Sequence, residues 1–260
     1  MKMKVVIFAG GIGSRITEES HLKPKPMIEI GGRPILWHIM KIYEAQGYND
    51  FIICLGYKGY MIKDYFINYF NHSSDFTVDL YTGKKIIHNT DSNTFKVTLV
   101  DTGLNTKTAG RLKKIKNYLD EDDFMLTYGD GVADIDLNTL LNFHKTHGKI
   151  ATLTSVRPPQ TFGRLSIDKT GKVLHFKEKA QDDSIWVNGG FFVLNKKVFE
   201  YLPDNSDEIM WEDSPMENLA QNKELYSYQH YGFWKCLDAM RDKIELDALW
   251  ENNKAKWKIW

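Results

Sequence analysis

Val5-Val6-Ile7-Phe8-Ala9-Gly10-Gly11-Ile12-Gly13-Ser14-Arg15 is the stretch on which the architecture turns. An apolar run this short, ended by glycine, reads as a buried strand. The glycines that follow free the backbone to aim N–H groups at an anion and let a phosphate approach closely. Arg15 adds a cation to this loop. Lys25, within Lys23-Pro24-Lys25-Pro26, adds a second. Strand, glycine turn and two cations together describe a polyphosphate site.

Two other phosphate loops are excluded by their own chemistry. A P-loop ends in Gly-Lys-Ser or Gly-Lys-Thr, and none follows here. A dinucleotide fingerprint needs a third glycine for close helix packing, and Ile16 stands in its place.

Outward from the loop, strand and helix patterns alternate. Pro34 opens a helix whose apolar face is Ile35, Ile39, Met40 and Tyr43, and Gly47 closes it. Phe51 to Leu55 reads as the next strand. Tyr65, Phe66, Tyr69 and Phe70 mark a second helix. Val97 to Val100 is a strand, and Leu112, Ile115 and Leu119 mark a third helix. Phe124 to Tyr128 is a strand running into Gly129-Asp130-Gly131. Asp136 caps a helix that Gly148 ends. This rhythm predicts an α/β, Rossmann-like, mostly parallel or mixed central sheet flanked by helices. Beyond residue 150 the pattern turns to β: strands over 150–156, 163–168, 173–177, 185–194 and 233–237, then a helix near 240–250. One domain over 1–260 is expected, with 1–150 as a nucleotide-binding half and 151–260 as a smaller β-rich half with a C-terminal helix and tail. Residues 71–94 are polar and weakly patterned, and read as an excursion such as a hairpin.

Composition removes several functions. Lys plus Arg and Asp plus Glu are 34 each, a net charge of zero, so no nucleic-acid partner is expected. No apolar run reaches membrane-spanning length, and the N-terminus leaves no room for a secretory leader, so no membrane partner and a cytoplasmic location are expected. The two cysteines, Cys54 and Cys236, read as free thiols, and without a Cys-x-x-Cys a zinc site is not expected. His144 and His147 share a helix face and read as structural.

In an open α/β sheet, ligands bind beyond the carboxyl ends of the strands. Asp130 sits at such an end between two glycines, where a carboxylate can reach a hard cation held by phosphate oxygens. Asp134 and Asp136 are assigned to turn and cap. Asp238 ends Phe233-Trp234-Lys235-Cys236-Leu237-Asp238, and spacing alone reads it equally well as a helix cap. Glu178-Lys179 alone reads as a solvated charged pair. Asn188-Gly189-Gly190, set inside an aromatic strand, suggests close approach of a ligand.

Gly-Gly-x-Gly-Ser-Arg followed by Lys-Pro-Lys-Pro resembles the sugar-1-phosphate nucleotidyltransferases, or nucleotide-sugar pyrophosphorylases. Glu29 to His38, Gly56 to Tyr60, Asp101-Thr102-Gly103, Gly110-Arg111-Leu112, Tyr128 to Val132 and Asn188 to Phe192 are similar to the cytidylyltransferase branch of that family. The resemblance implies the nucleotide-diphospho-sugar transferase fold, with CTP and glucose 1-phosphate as substrates. It also implies Mg2+ on Asp130 and Asp238, and Arg15 and Lys25 as catalytic cations. By the same likeness, Phe8, Ala9, Gly10, Gly11, Gly13, Ser14, Thr106, Gly110, Arg111, Tyr128, Gly129, Glu178, Lys179, Asn188 and Gly190 would bind substrate. A homo-oligomer is implied, with a hexamer among the candidates, and so is a role in supplying deoxysugars for surface polysaccharide. UTP or dTTP, another sugar 1-phosphate, or a catalytically silent nucleotide-sugar sensor are the alternatives. The sequence departs from the family at Ser14, where Thr is usual, at Ala180, where Pro is usual, and over 71–94.

Overall fold

β1 (Lys4–Ala9) forms where the apolar run predicts it, and its side chains explain why that run does not alternate with polar residues. Val5, Ile7 and Ala9 enter one apolar layer and Val6 and Phe8 the opposite one, so both faces of the strand are buried. The computed structural model describes residues 3–13, 16, 19, 21–89, 93–158, 164–177 and 185–260. Ser14, Arg15, Glu178 and Lys179 lie outside the described residues.

Along the chain follow β2 (Glu29–Ile30), β3 (Arg33–Pro34), α1 (Ile35–Glu44), β4 (Asp50–Leu55), α2 (Gly59–Ile67) and α3 (Tyr69–Ser73). Next come β5 (Phe76–Val78), β6 (Lys85–Ile87), β7 (Lys96–Asp101), α4 (Thr108–Lys114), β8 (Asp123–Tyr128), β9 (Gly131–Ala133) and α5 (Leu137–His147). The remainder holds β10 (Ala151–Val156), β11 (Arg164–Ile167), β12 (Val173–Lys177), β13 (Val187–Asn188), β14 (Phe192–Asn195), α6 (Ser214–Gln221), β15 (Leu225–Gln229), β16 (Trp234–Cys236) and α7 (Met240–Glu251).

The main sheet runs β13-β10-β14-β8-β1-β4-β7, with β15 added parallel to β10. β8, β1, β4 and β7 are parallel neighbours, so their carboxyl ends open on one edge. β14 and β13 run antiparallel to their partners, and the sheet is mixed as expected. α1 buries Ile35, Ile39, Met40 and Tyr43. Asp136 caps α5 by accepting the Thr139 N–H at 2.8 Å, and Gly148 ends it at φ 62°. His144 and His147 both bond the Thr152 hydroxyl, a structural role. Cys54 and Cys236 are free.

The structure changes one expected strand, adds one that the pattern does not show, and forms the expected hairpin. The strand read over 185–194 breaks into β13 and β14, because Gly190 and Phe191 take φ 76° and 47°. The backbone turns there as the Asn188 carboxamide oxygen accepts the Gly190 N–H at 2.9 Å. β15 carries no clear pattern because it lies half exposed on β10. Residues 71–94 contain the β5–β6 hairpin, all six of whose strand residues are exposed.

The C-terminal tail is built into the core. Trp257 is fully buried, and its indole N–H donates to His38 Nδ1 at 3.4 Å, while the His38 Nε2–H donates to the Ile30 carbonyl at 2.8 Å. Trp250 packs edge-on to His38, with ring centroids 4.6 Å apart. Burial pulls the His38 pKa from 6.5 down to about 4, although its bond to Ile30 works the other way. A depressed histidine stabilises the fold fully above the unfolded pKa. The unfolded chain takes the proton first as pH falls, so that stability is lost between about pH 6.5 and 4. Denaturant unfolding is expected to lose about 1.4 kcal/mol per pH unit from this group across that window. The slope should be smaller in His38→Gln, and equal slopes would show that His38 is not the buried neutral group.

Candidate active site

The Lys-Pro-Lys-Pro segment forms a single tight turn, Lys25–Met27, entered from extended Pro24 and buried throughout. Proline on both sides of Lys25 limits the backbone, so the lysine leaves a preset direction. Pro26 lies against the turn after β8. A Cβ on Gly129 would stand 2.8 Å from the Phe8 carbonyl and 3.1 Å from Pro26 Cγ. Gly129 is therefore required so that β1, β8 and the lysine turn can meet. Its N–H donates to the Phe8 carbonyl at 2.9 Å.

Asp238 arrives by strand pairing. β16 runs antiparallel to β9, with Trp234 opposite Ala133 and Cys236 opposite Gly131. The Leu237 N–H donates to the Asp130 carbonyl at 2.8 Å, which brings the next residue beside Asp130. Asp242, in the first turn of α7, accepts the backbone N–H groups of Asp238 and Ala239 at 3.0 and 2.8 Å and holds this corner.

The Lys25 ammonium donates to Asp130 Oδ2 at 2.6 Å and to Asp238 Oδ1 at 2.7 Å. These partners lie 105 and 213 residues away in sequence. Lys25 is 9% exposed. Burial alone would lower its pKa, but the Asp130 charge and the two carboxylate bonds outweigh that and hold it above the usual lysine value. The side chain is a fixed cation at neutral pH.

Ligand atoms of Asp130, Cys236 and Asp238 lie within 4.8 Å of one another. Two carboxylates at the carboxyl edge of the parallel strands suit magnesium, which takes one or two carboxylates and completes its shell with substrate oxygens and water. Cys236 is the poor member, because a thiol is soft. Burial, and then the Asp130 charge, push its pKa well up, so it stays protonated. Asp130 and Asp238 therefore fit the role of metal ligands.

Arg111 is placed differently from a ligand-facing arginine. Its guanidinium is buried and donates to the Leu55 carbonyl at 2.8 Å, the Thr102 hydroxyl at 2.6 Å, and the Gly103 and Gly10 carbonyls at 3.0 Å each. It ties together the carboxyl ends of β1, β4 and β7 from within. Gly10 answers to the same packing, since a Cβ there would sit 2.1 Å from the guanidinium. Among the described residues Gly11 has no neighbour within 4 Å of such a Cβ, and Gly13 takes φ 69°. Gly110 is forced by Asp207, whose Oδ1 would lie 2.3 Å from a Cβ. Thr106 accepts from Lys114 at 3.0 Å, and Lys114 also pairs with Asp207 at 2.7 Å.

A second cluster surrounds Tyr128. Its hydroxyl donates to Glu212 Oε1 at 2.5 Å and accepts from the Asn188 side-chain amide at 3.0 Å. Burial, reinforced by Glu212, raises the Tyr128 pKa well above the ordinary phenol value. Gly190 must be glycine, because its φ is 76° and a Cβ would come within 3.0 Å of the Tyr128 ring. Phe8 and Ala9 are buried at the end of β1, and the Phe8 ring packs at 6.3 Å from Tyr128. Glu212, which also accepts the Thr108 hydroxyl at 2.8 Å, escapes sequence reasoning because it lies in an unpatterned turn before α6.

Two cavities are lined by residues of the chain's first half. One of about 380 Å³ is lined by residues at the ends of β4 and β7, including Gly56, Tyr57 and Asp101. Another, of about 680 Å³, lies between Lys23, Met27 and Glu29 and the helix α2.

Comparison with known proteins gives the family and the fold. The sequence model for the nucleotidyl transferase family matches residues 4–255. A Salmonella typhimurium protein named glucose-1-phosphate cytidylyltransferase is 51% identical over 259 residues, covering 99% of this chain and all of that one. The crystal structure of HddC from Yersinia pseudotuberculosis aligns with a TM-score of 0.67 at 23% identity, over 95% of this chain and 99% of that one. A UDP-glucose pyrophosphorylase complexed with UDP-glucose aligns at 0.68 with 17% identity, over 97% of this chain and 100% of that one. At these identities the two structures establish the fold alone.

Proposed function

This chain belongs to the nucleotidyl transferase family, and we propose that it transfers the cytidylyl group of CTP to α-D-glucose 1-phosphate, giving CDP-glucose and pyrophosphate. The observation that carries the reaction class is the buried Lys25 ammonium clamped by Asp130 and Asp238 at the carboxyl edge of the parallel strands. The choice of CTP and glucose 1-phosphate rests on the full-length likeness to the Salmonella protein.

A phosphate oxygen of glucose 1-phosphate attacks the α-phosphorus of CTP. The bond from that phosphorus to the bridging oxygen breaks, and pyrophosphate leaves with the electron pair. The attacking phosphate is already ionised, so no protein base is needed, and the barrier lies in bringing two anions together in line. Lys25 offsets that repulsion with a charge that is in place before the substrates arrive. Arg15 is assigned to the outer phosphates of CTP, and Gly11, Gly13 and Ser14 to close backbone approach. Asp130 and Asp238 would hold Mg2+, which supplies further charge neutralisation at the phosphates. Glu178 and Lys179 are assigned to the sugar hydroxyls and its phosphate, and Asn188 and Gly190 to the lining of the sugar site. Glu212 joins them by fixing Tyr128 and Asn188.

A homo-oligomer, with a hexamer as its specific form, is proposed as well. Its support is the exposed β5–β6 hairpin, with Leu80 and Tyr81 at its tip 90% and 98% exposed. The proposed compartment is the cytoplasm, in line with two free thiols, and the proposed pathway is deoxysugar supply for surface polysaccharide. Among the described residues no helix is long and apolar enough to cross a membrane.

Pyrophosphate release measured across four nucleoside triphosphates and several hexose 1-phosphates tests the reading. CTP with glucose 1-phosphate is expected to turn over fastest. Faster release with UTP or dTTP would overturn the assignment of the base, and no release in any combination would favour a silent sensor. In the same assay Asp130→Asn should move the midpoint of a magnesium titration upward, on the order of tenfold, because one ligand charge is gone. An unchanged midpoint would remove Asp130 from the metal site.

A further inference from the structure

We propose that Lys25 is the resident counter-cation of the metal site: its ammonium holds the space between Asp130 and Asp238 and competes with a divalent ion until nucleotide phosphates draw it away. The inference rests on the reading above, in which these two carboxylates take the metal.

The distances carry it. One buried nitrogen lies 2.6 and 2.7 Å from oxygens of both carboxylates, the same groups whose ligand atoms fall within 4.8 Å of one another. A divalent ion that engages both carboxylates must enter against a unit positive charge at bonding distance. The backbone around Lys25 cannot retreat, since Lys25, Pro26 and Met27 are buried and Pro26 is wedged beside Gly129. The side chain can, because a lysine carries its charge on a flexible four-carbon stem. Triphosphate oxygens beside the glycine loop offer the ammonium an alternative anion. Each ligand thereby removes an obstacle for the other, and such coupling is reciprocal by thermodynamic necessity. The arrangement also keeps two partly buried carboxylates paired when neither ligand is present, which avoids the cost of two like charges side by side.

The test uses Mn2+ alone, without nucleotide, with the free ion counted by paramagnetic resonance in the presence of the full-length protein. Lys25→Met should bind Mn2+ at least about tenfold more tightly than the wild type, because the competing charge is removed. Lys25→Arg, which keeps the charge, should stay within a few-fold of wild type. A Lys25→Met chain that folds only with Mn2+ present would support the proposal equally, since the metal then takes the place of the ammonium between the carboxylates. If Lys25→Met does not fold at all, Lys25→Gln is read in the same way. Equal or weaker Mn2+ binding in the neutral variant overturns the proposal. Asp130→Asn separates the two readings. If it abolishes Mn2+ binding while Lys25→Met leaves the affinity unchanged, the metal site stands and the counter-cation role falls.

Discussion

Lys25→Ala is expected to lower turnover about 100-fold or more, measured as pyrophosphate release at saturating CTP, glucose 1-phosphate and magnesium. That is the scale on which removing one preorganised charge acts on a developing anion. The reason is geometric as much as electrostatic. The turn with proline on either side fixes where the side chain leaves the backbone, and the two carboxylates keep its ammonium close by, so the charge is at hand when the substrates bind. A cation that must first be ordered from solvent would supply far less. Saturating metal is essential to the measurement, because alanine also removes the charge that competes with the ion. Lys25→Arg should recover little of the loss, since a planar fork does not reproduce a point charge held between two oxygens. Near-normal turnover in the alanine variant would take Lys25 out of the chemistry.

Arg111→Ala is expected to cost about 3 kcal/mol or more of folding stability, seen as a large fall in the denaturant midpoint. The guanidinium satisfies three backbone carbonyls, those of Leu55, Gly103 and Gly10, and the Thr102 hydroxyl. The Gly103 carbonyl loses its donor, at a cost on the order of 1 kcal/mol or more. The Leu55 and Gly10 carbonyls keep the Thr102 and Tyr57 N–H groups, so the larger part comes from three lost charged hydrogen bonds and the space vacated beside Gly10 and Gly56. Gly10→Ala should be destabilising by the opposite route, because its Cβ would overlap the guanidinium. In Arg111→Ala the loop after β1 loses its anchor, so KM for CTP should rise in whatever protein remains folded. A variant as stable as wild type would mean that the guanidinium is turned outward to a ligand instead.

Much of the site is legible from residue type and position. Asp130 needs only the observation that a strand ends in Gly-Asp-Gly. Lys25 needs only the Lys-Pro-Lys-Pro turn near a glycine loop. Asp238 needs the family likeness, because an aspartate after a strand caps a helix as readily as it binds a metal. At the glycines the structure adds a reason that the sequence does not show. Gly10 and Gly190 read as places for a ligand to approach, yet each makes room for a side chain of this chain, Arg111 in one case and Tyr128 in the other. Glycine has no side chain to show which neighbour it is sparing. Arg111, read as a substrate contact, turns inward, where its guanidinium meets three carbonyl groups and a hydroxyl gathered at the strand ends. Glu212 was not legible at all, since its only signal is a partner, Tyr128, on a distant strand.

What the amino-acid order determines by itself is local: a strand buried on both faces, a glycine turn, a lysine steered by prolines, caps at Asp136 and Gly148. These follow from apolar period, backbone freedom and side-chain hydrogen bonding within a few residues. Tertiary structure alone decides that Lys25, Asp130 and Asp238 become one cluster, because β8, the 25–27 turn and the pairing of β16 with β9 must all close around the same point. It also decides that the tail's Trp257 lies against His38 and not in water. Contacts of that range depend on strand register and on what is left to fill a core, and neither quantity is written in any one segment.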